Sequence, residues 1–357
     1  MGNLTWLLYY YWQYCVGYGD EVELRTRFFP LLKSAVNLFF HIRTCNNGRY
    51  GLPATASPEY LSGNIGPNTN YDLANLRWGL KTLVEIDTTY RINDPQLADW
   101  IDFQQHLTDY PYSEQTGYKL SDKYEFADTS HRHYSHLFMI YPYYLVNWEN
   151  PAHRERIKLS VGRWKGNQGY SRTGKAAMLL SMGDGDGALE QMKVFFGRFL
   201  KPNTLYAESG PVIETPMAAM STLHEFYMQD WGERIRVFYG MPAAWADASF
   251  VNLRAKGAFL VSATRKAGQT VFIQVESEKG GLCRLRTGMP VDRLAVTTPA
   301  GREVPFRVTA AEDGTIAVET RAGDVFQVTR RDCSPALPEP VSHPAGEAMS
   351  FGDGSRM

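Results

Sequence analysis

The chain has 357 residues, with 37 Lys and Arg against 38 Asp and Glu and a formal net charge of -1. That length allows two domains, or one large domain with an appendage, and so even a balance leaves no electrostatic footprint for nucleic acid or an anionic membrane surface. No apolar run approaches the roughly 18–20 residues of a membrane span, and Cys15, Cys45, Cys283 and Cys333 are scattered without a CxxC pair, so neither a disulfide framework nor a zinc set is indicated.

In chain order, residues 1 to about 232 read as helices. Leu4, Leu7, Leu8, Tyr11 and Trp12 recur at helical spacing. The stretch lacks a basic n-region and is interrupted by Trp12, Gln13 and Tyr14, so it is not a signal peptide. Gly17 to Asp20 breaks the pattern, and a second helix follows over 21–43, with Leu24, Phe28, Leu31, Leu32, Ala35, Phe39 and Ile42 on one side. A second hairpin runs over 71–90 and 95–107, with Asp94 as N-cap and Pro95 in the first helical position. Further helices are expected at about 135–147, 151–162, 171–182, 186–199 and 216–230. Gly183-Asp184-Gly185-Asp186-Gly187 resembles a calcium loop only superficially and reads as a C-cap followed by an N-cap.

After Trp231-Gly232 the composition changes. Short β-branched and aromatic runs, such as Ala258–Ala263, Val271–Val275, Thr315–Glu319 and Val325–Thr329, alternate with turn signals such as Lys279-Gly280-Gly281 and Asp313-Gly314. The organisation expected is a catalytic helical-hairpin domain over 1–232, a β-sandwich-like antiparallel domain over 233–332, and a disordered Pro/Gly/Ser-rich tail over 333–357. Successive helical hairpins point to a toroid of inner and outer helices. The long loops 44–70, 110–134 and 200–215 would gather at one mouth, and loops of that length are usually functional or disordered.

Those loops hold the chemistry-bearing residues. Glu59 follows Ser57-Pro58, and Glu214 stands between Ile213 and Thr215-Pro216, each beside prolines and away from Lys and Arg. Glycoside hydrolysis needs such a pair, one carboxyl to protonate the leaving oxygen and one to activate water. The competing account is helix capping by acids. Glu208 is a second candidate base, but the apolar Pro211-Val212-Ile213 favours Glu214. Asn64, Asn68 and Asn70 could line a polar pocket, or Asn70 could cap a helix; Asp72 reads as structural. In Ser130-His131-Arg132-His133-Tyr134-Ser135-His136, no Cys, Asp or Glu completes a metal set. The cluster reads instead as sugar hydroxyl binding by Arg132 and one or two of the histidines, with core or capping histidines as the alternative. Aromatics, at 13% of residues, fit a carbohydrate site but are equally ordinary core residues.

These motifs resemble glycoside hydrolase family 95, known for inverting 1,2-α-L-fucosidases and related α-L-galactosidases. Gly2-Asn3-Leu4-Thr5-Trp6-Leu7 through Gly19-Asp20 looks like the family's helix ending in a Thr-Gly-Asp turn. Ala56-Ser57-Pro58-Glu59 looks like its Ser-Pro-Glu motif, whose Glu is the general acid. His131-Arg132-His133-Tyr134-Ser135-His136-Leu137 is close to its His-Arg-His-x-Ser-His-Leu signature, where Arg and the following His bind sugar. Gly169-Tyr170-Ser171, Gly183-Asp184-Gly185-Asp186 and Asn252-Leu253-Arg254-Ala255-Lys256-Gly257-Ala258-Phe259 also match, so the resemblance covers residues 2 to about 290. It implies a mainly α, (α/α)6 six-hairpin toroid followed by a small antiparallel β domain, an oligosaccharide or polysaccharide substrate, and no metal or organic cofactor. Glu59 would be the acid and Glu214 the base, with carboxyl groups about 6.5–9.5 Å apart. Arg132, His133, His136, Glu208 and Asn70 would hold the sugar.

Two departures stand out. The family's base is an Asp in Gln-Ile-Asp-Gly-Asn-Phe, whereas Val212-Ile213-Glu214-Thr215-Pro216-Met217 carries a side chain one methylene longer, a displacement of about 1–1.5 Å. The family's water-positioning Asn pair and β-sandwich lie N-terminal to anything matched here, and about nine helices stand where a ring needs twelve. The chain thus reads as the C-terminal portion of a longer enzyme whose family is often secreted or periplasmic. The reading from another class is a non-catalytic carbohydrate-binding relative. A terpenoid cyclase, also a helical toroid, lacks its Asp-rich metal motif here.

Overall fold

The computed structural model describes residues 1–331 except 59, 61–62, 127–131, 202–204 and 209–211, so the expected tail over 333–357 and Cys333 lie outside the described residues. The chain forms two compact units, one of Met1–Cys15 and Asp20–Ser171, the other of Val16–Gly19 and Arg172 onward.

In the first unit α1 (Asn3–Tyr18) and the next rod form the expected hairpin. Asp20 caps that rod, its Oδ1 accepting the Glu23 N–H at 3.0 Å. The rod runs as α2 (Glu21–Glu23), a π-helical turn (Leu24–Phe28) and α3 (Phe29–Ile42). The widened turn stands just ahead of Pro30, which has no N–H and whose ring would meet the Thr26 carbonyl in a regular α-helix. Leu24, Phe28, Leu32, Val36 and Phe39 form the buried stripe, while Leu31, expected inside, is 47% exposed. The hairpin of β1 (Thr44–Asn46) and β2 (Arg49–Gly51) leads into the long loop before α4 (Asn70–Tyr90). Gly79 sits at the tightest packing of α4 on α3, where an added Cβ would meet Val36 Cγ2 at 2.7 Å. α5 (Leu97–His106) begins two residues later than expected: Asp94 instead accepts the Gln96 N–H at 2.9 Å in a turn that precedes the helix.

After β3 (Tyr112–Ser113) and β4 (Gly117–Tyr118), the helix expected over 135–147 does not form. One 3₁₀ turn, Ser135–Leu137, gives way to a chain of turns. Pro142 cannot donate to a helical ladder, and Tyr144 adopts a left-handed backbone with φ of 51°. Tyr143 stacks on Trp78 at 5.3 Å and donates its hydroxyl to Asn75 Oδ1 at 2.6 Å, so side-chain packing on α4 holds the segment. α6 (Arg154–Arg163) follows.

α7 (Gly169–Ser181) leads into the second unit, with α8 (Gly185–Phe199) and α9 (Glu214–Tyr227). Between α7 and α8, Gly183 takes φ of +80° and Asp184 accepts the Gly187 N–H at 2.9 Å, a C-cap followed by an N-cap. Ala176, Leu180, Ala188, Met192, Phe195, Phe199, Ala219 and Phe226 make one apolar cluster.

The β domain contains β5 (Met228–Gln229), β6 (Ile235–Val237), β7 (Ala248–Ala255), β8 (Phe259–Lys266), β9 (Gln269–Ser277), β10 (Gly280–Arg286), β11 (Leu294–Thr297), β12 (Arg307–Ala310), β13 (Thr315–Arg321) and β14 (Asp324–Arg330). They form two five-stranded sheets, β12-β13-β10-β6-β5 and β11-β14-β9-β8-β7, which share one core including Val237, Val261, Ile273, Leu285, Ile316 and Val328. The expected antiparallel pattern holds except at β6, which pairs parallel to β10 through Ile235↔Leu285 and Arg236↔Arg286. β5, β7 and β12 were not expected. β7 hides because a bulge between Phe250 and Leu253, with Asn252 at φ of 56°, breaks its alternation. Within this unit Gly257 donates its N–H to the Val16 carbonyl at 2.9 Å, and the Arg254 guanidinium, paired with Glu278, lies 4.3 Å over the Tyr18 ring.

Replacing the cap Asp184 by Ala is expected to lower stability by about 1 kcal/mol, the usual value of an N-cap. Denaturant unfolding followed by circular dichroism measures it, and an unchanged midpoint would remove Asp184 from the capping role.

Candidate active site

The N-terminus of α4 organises the site in the first unit. Thr69, not Asn70, is the N-cap: its Oγ1 accepts the Asp72 N–H at 3.1 Å. Thr69-x-x-Asp72 is the sequence signature of a capping pair, a signal sequence reading passed over. Asp72 is buried, with Oδ2 accepting from Thr55 Oγ1 at 2.6 Å and Thr69 Oγ1 at 3.0 Å, and Oδ1 accepting from the Gly2 N–H at 2.8 Å. Asp72 is structural, as expected.

Thr55 is the foot of the loop that carries residue 59. The loop's two limbs pair through Thr55 N–H to the Gly66 carbonyl at 3.1 Å and Ile65 N–H to the Thr55 carbonyl at 2.8 Å. Asn64 and Asn68 brace this loop: they accept the Gly66 N–H at 2.8 Å and the Leu52 N–H at 2.6 Å. At the tip, Tyr60 N–H closes a turn onto the Ser57 carbonyl at 3.1 Å. Glu59 lies outside the described residues, but Ser57 and Tyr60 on either side of it each hydrogen-bond a second segment. Ser57 Oγ meets Ser135 Oγ at 2.7 Å, and Tyr60 Oη donates to the His133 carbonyl at 2.6 Å. Two separate loops, 55–66 and 132–136, are thereby brought together.

His131 also lies outside the described residues. Arg132 and His133 are half-buried, with Arg132 Nε donating to His133 Nε2 at 3.2 Å and the Arg132 carbonyl accepting from Ser171 Oγ at 3.1 Å. The His133 ring lies 5.2 Å from Tyr170, and Tyr134 stacks on Tyr170 at 5.3 Å. The Trp164 ring packs edge-on against Tyr134, 5.2 Å between centroids. Tyr60 and Trp164 have no role in the sequence reading because isolated aromatics carry no spacing signal, whereas Tyr170 stands in the matched Gly169-Tyr170-Ser171 stretch.

Two expected sugar-binding residues are buried among the described residues. His136 is 1% exposed, stacked on Phe126 at 4.5 Å with the edge of Tyr60 at 5.6 Å. Burial pushes its pKa down to about 3, so the ring is neutral. Asn70 is fully buried and spends its amide donors on the Pro111 and Lys119 carbonyls, at 2.9 and 2.7 Å.

In the second unit, Glu208 is half-buried with both carboxylate oxygens withdrawn from solvent. The chain before it folds back, with the Ala207 N–H on the Phe199 carbonyl at 2.9 Å and the Tyr206 ring stacked on Phe195 at 6.0 Å. Glu214 occupies the first turn of α9, where a carboxylate suits the helix dipole, but the apolar surroundings expected for it are not present. Glu214 is exposed, and Ile213 and Met217 beside it are 69% and 60% exposed.

Residues 1–225 match the model of the "Glycosyl hydrolase family 95 catalytic domain", and residues 229–328 match "Glycoside hydrolase family 95, C-terminal domain". The chain belongs to glycoside hydrolase family 95. Among solved structures, this family 95 chain is similar to a protein described as a kojibiose phosphorylase from human microbiome, with 11% identity over 79% of this chain and 46% of that one at a TM-score of 0.51. An alpha-L-rhamnosidase from Dictyoglumus thermophilum aligns with 12% identity over 90% of this chain and 39% of that one, at a TM-score of 0.45. The chain thus spans less than half the length of either structure. No curated protein matches it. The helical hairpins are those of the six-hairpin glycosidase fold, and no closed barrel forms among the described residues.

Burial of neutral His136 carries a pH signature. Its folded pKa lies below the ordinary value of 6.5, so the unfolded chain binds the extra proton between about pH 6.5 and 3. Stability is therefore expected to fall as pH drops through that window. In His136→Phe, which keeps a ring against Phe126, the fall should be shallower, as read from denaturant midpoints at pH 7, 5 and 4. Parallel curves would show that His136 does not titrate this way.

Proposed function

We propose that the family 95 catalytic region of this chain serves an inverting glycoside hydrolase that removes terminal α-L-fucose, or a related L-sugar such as α-L-galactose, from an oligosaccharide or polysaccharide. The observation that carries the reading is the fastening of the Ser57–Tyr60 turn to Ser135 and His133, because it joins the two sequence motifs whose chemistry sugar cleavage needs. Glu59 protonates the glycosidic oxygen as the bond to the anomeric carbon breaks. Arg132 and His133, half-buried and linked to each other, hold sugar hydroxyls. Glu214 takes the proton of the attacking water. The withdrawn carboxylate of Glu208 supports a second assignment of the base, since exposed Glu214 has bulk water to compete with one bound water. The catalytic helices belong to 1–232 and the β domain to 233–332.

The test is release of L-fucose and L-galactose from their nitrophenyl α-glycosides. Glu59→Gln should cut kcat by about 10²–10⁴, the usual contribution of a general acid or base, and leave sugar binding intact. Glu214→Gln and Glu208→Gln identify the base by which one loses a comparable factor. Sugar binding without turnover by the unmodified protein would contradict the enzyme reading in favour of a carbohydrate-binding relative.

A further inference from the structure

None of the residues that line a second cavity in the first unit belongs to the 55–66 loop or the 132–136 segment. Its volume is about 350 Å³, within the roughly 300–1,000 Å³ of small-molecule sites. Arg77 and Lys81, one turn apart on α4, contribute to its lining, as does Arg156 of α6. The two arginines have no counter-ion among the described residues. Arg77 Nη2 donates to the Leu107 and Thr108 carbonyls, which leaves Nη1 without a bond among the described residues. Its guanidinium lies 5.0 Å from the centre of the Tyr110 ring, and that of Arg156 lies 4.7 Å from the centre of the Tyr112 ring. The nearby acids are engaged elsewhere. Glu85 pairs with Lys81, and Asp109, itself in the lining, pairs with Arg49 at 3.2 Å with its side chain 93% exposed. The lining is also short of acceptors: Arg77 Nε and Tyr110 Oη, both withdrawn from solvent, bond nothing among the described residues. Leu145 supplies apolar surface beside these cations, and the Gln104 amide offers both a donor and an acceptor.

We propose that this cavity is a subsite for an anionic sugar unit, one that carries a carboxylate or a sulfate ester. A guanidinium presents a planar fork of donors that matches the oxygens of such a group, and bonds to a charged acceptor are stronger than neutral ones. Arg77 and Arg156 take the oxyanion, Tyr110 and Leu145 pack on the ring, and Gln104 meets a hydroxyl. The sugar part of this assignment rests on the carbohydrate substrate proposed above, whereas the anion part rests on the two arginines without counter-ions. No bond is made or broken in this cavity; it selects glycans that carry negative charge.

The experiment is an NMR titration of the full chain with D-galacturonate, D-galactose 6-sulfate, D-galactose and inorganic sulfate. At least one acidic sugar should bind about 10-fold more tightly than either galactose or inorganic sulfate, and the tighter of the two tells carboxylate from sulfate ester. Arg156→Gln should weaken acidic-sugar binding about 10-fold and leave galactose unchanged. Arg156 is exposed, so this variant keeps the test open if Arg77→Gln, which should act the same way, folds poorly by thermal melting. No binding of either acidic sugar, galactose bound as tightly as both, or acidic-sugar binding unchanged in Arg156→Gln overturns the proposal. Inorganic sulfate bound as tightly as the acidic sugars overturns the sugar assignment and leaves an adventitious ion only. Because the readout is binding, a failure of L-fucoside turnover is a separate result that bears on the proposed hydrolysis and not on this subsite.

Discussion

The buried carboxylate of Asp72 is the constraint on which the first unit's site depends. A carboxylate in an interior costs several kcal/mol unless its oxygens are hydrogen-bonded. Here each oxygen is engaged: Thr55 and Thr69 share Oδ2, and the Gly2 N–H takes Oδ1. That set can be satisfied only if α4 starts at residue 70, the start of the chain lies against it, and the descending limb of the 55–66 loop comes to the helix end. With Thr55 placed, the limbs pair, the turn at Ser57–Tyr60 is presented, and its two side chains find Ser135 and His133. Regular secondary structure holds neither loop. A relay of hydrogen bonds from a helix cap does so, which fits the need to hold catalytic groups through supporting contacts.

The same relay explains why motif residues divide into different duties. In the histidine segment, burial changes part-way along. Arg132 and His133 stay half-buried, Tyr134 and Ser135 pack and bond inward, and His136 is sealed as a neutral ring among aromatics. In the second unit, Arg254 and Gly257 belong to a recognisable stretch, yet they pair with Glu278 and the Val16 carbonyl and contribute to architecture. A matched motif thus holds both half-buried and sealed residues.

The helices whose apolar residues recur at regular spacing were legible in the sequence, including both hairpins, the Gly183–Gly187 cap and most β strands with clear turn signals. The 135–147 segment was not, because its apolar content resembles a helix while Pro142 and packing on Trp78 decide its path. Thr69 was missed as a cap beside the more conspicuous asparagines. β7 was obscured by a bulge that one-residue alternation cannot reveal. Among the candidate residues, residue type did not tell which side chains face inward: His136 and Asn70 are polar yet buried, and Glu214 has apolar neighbours yet is exposed. Burial depends on what packs across from a residue, and nothing described covers Ile213 and Met217 beside Glu214.

The central claim is that the turn at 57–60 and the segment at 132–136 act as one catalytic unit. The most direct measurement is a double-mutant cycle on kcat/KM for a phenyl α-L-fucoside with Glu59→Gln, Arg132→Ala and the combined variant. Residues that act as a unit are strongly non-additive. The double variant should therefore lose little more than the more damaging single change. Losses that multiply would mean the two residues serve independent ends and would contradict the account.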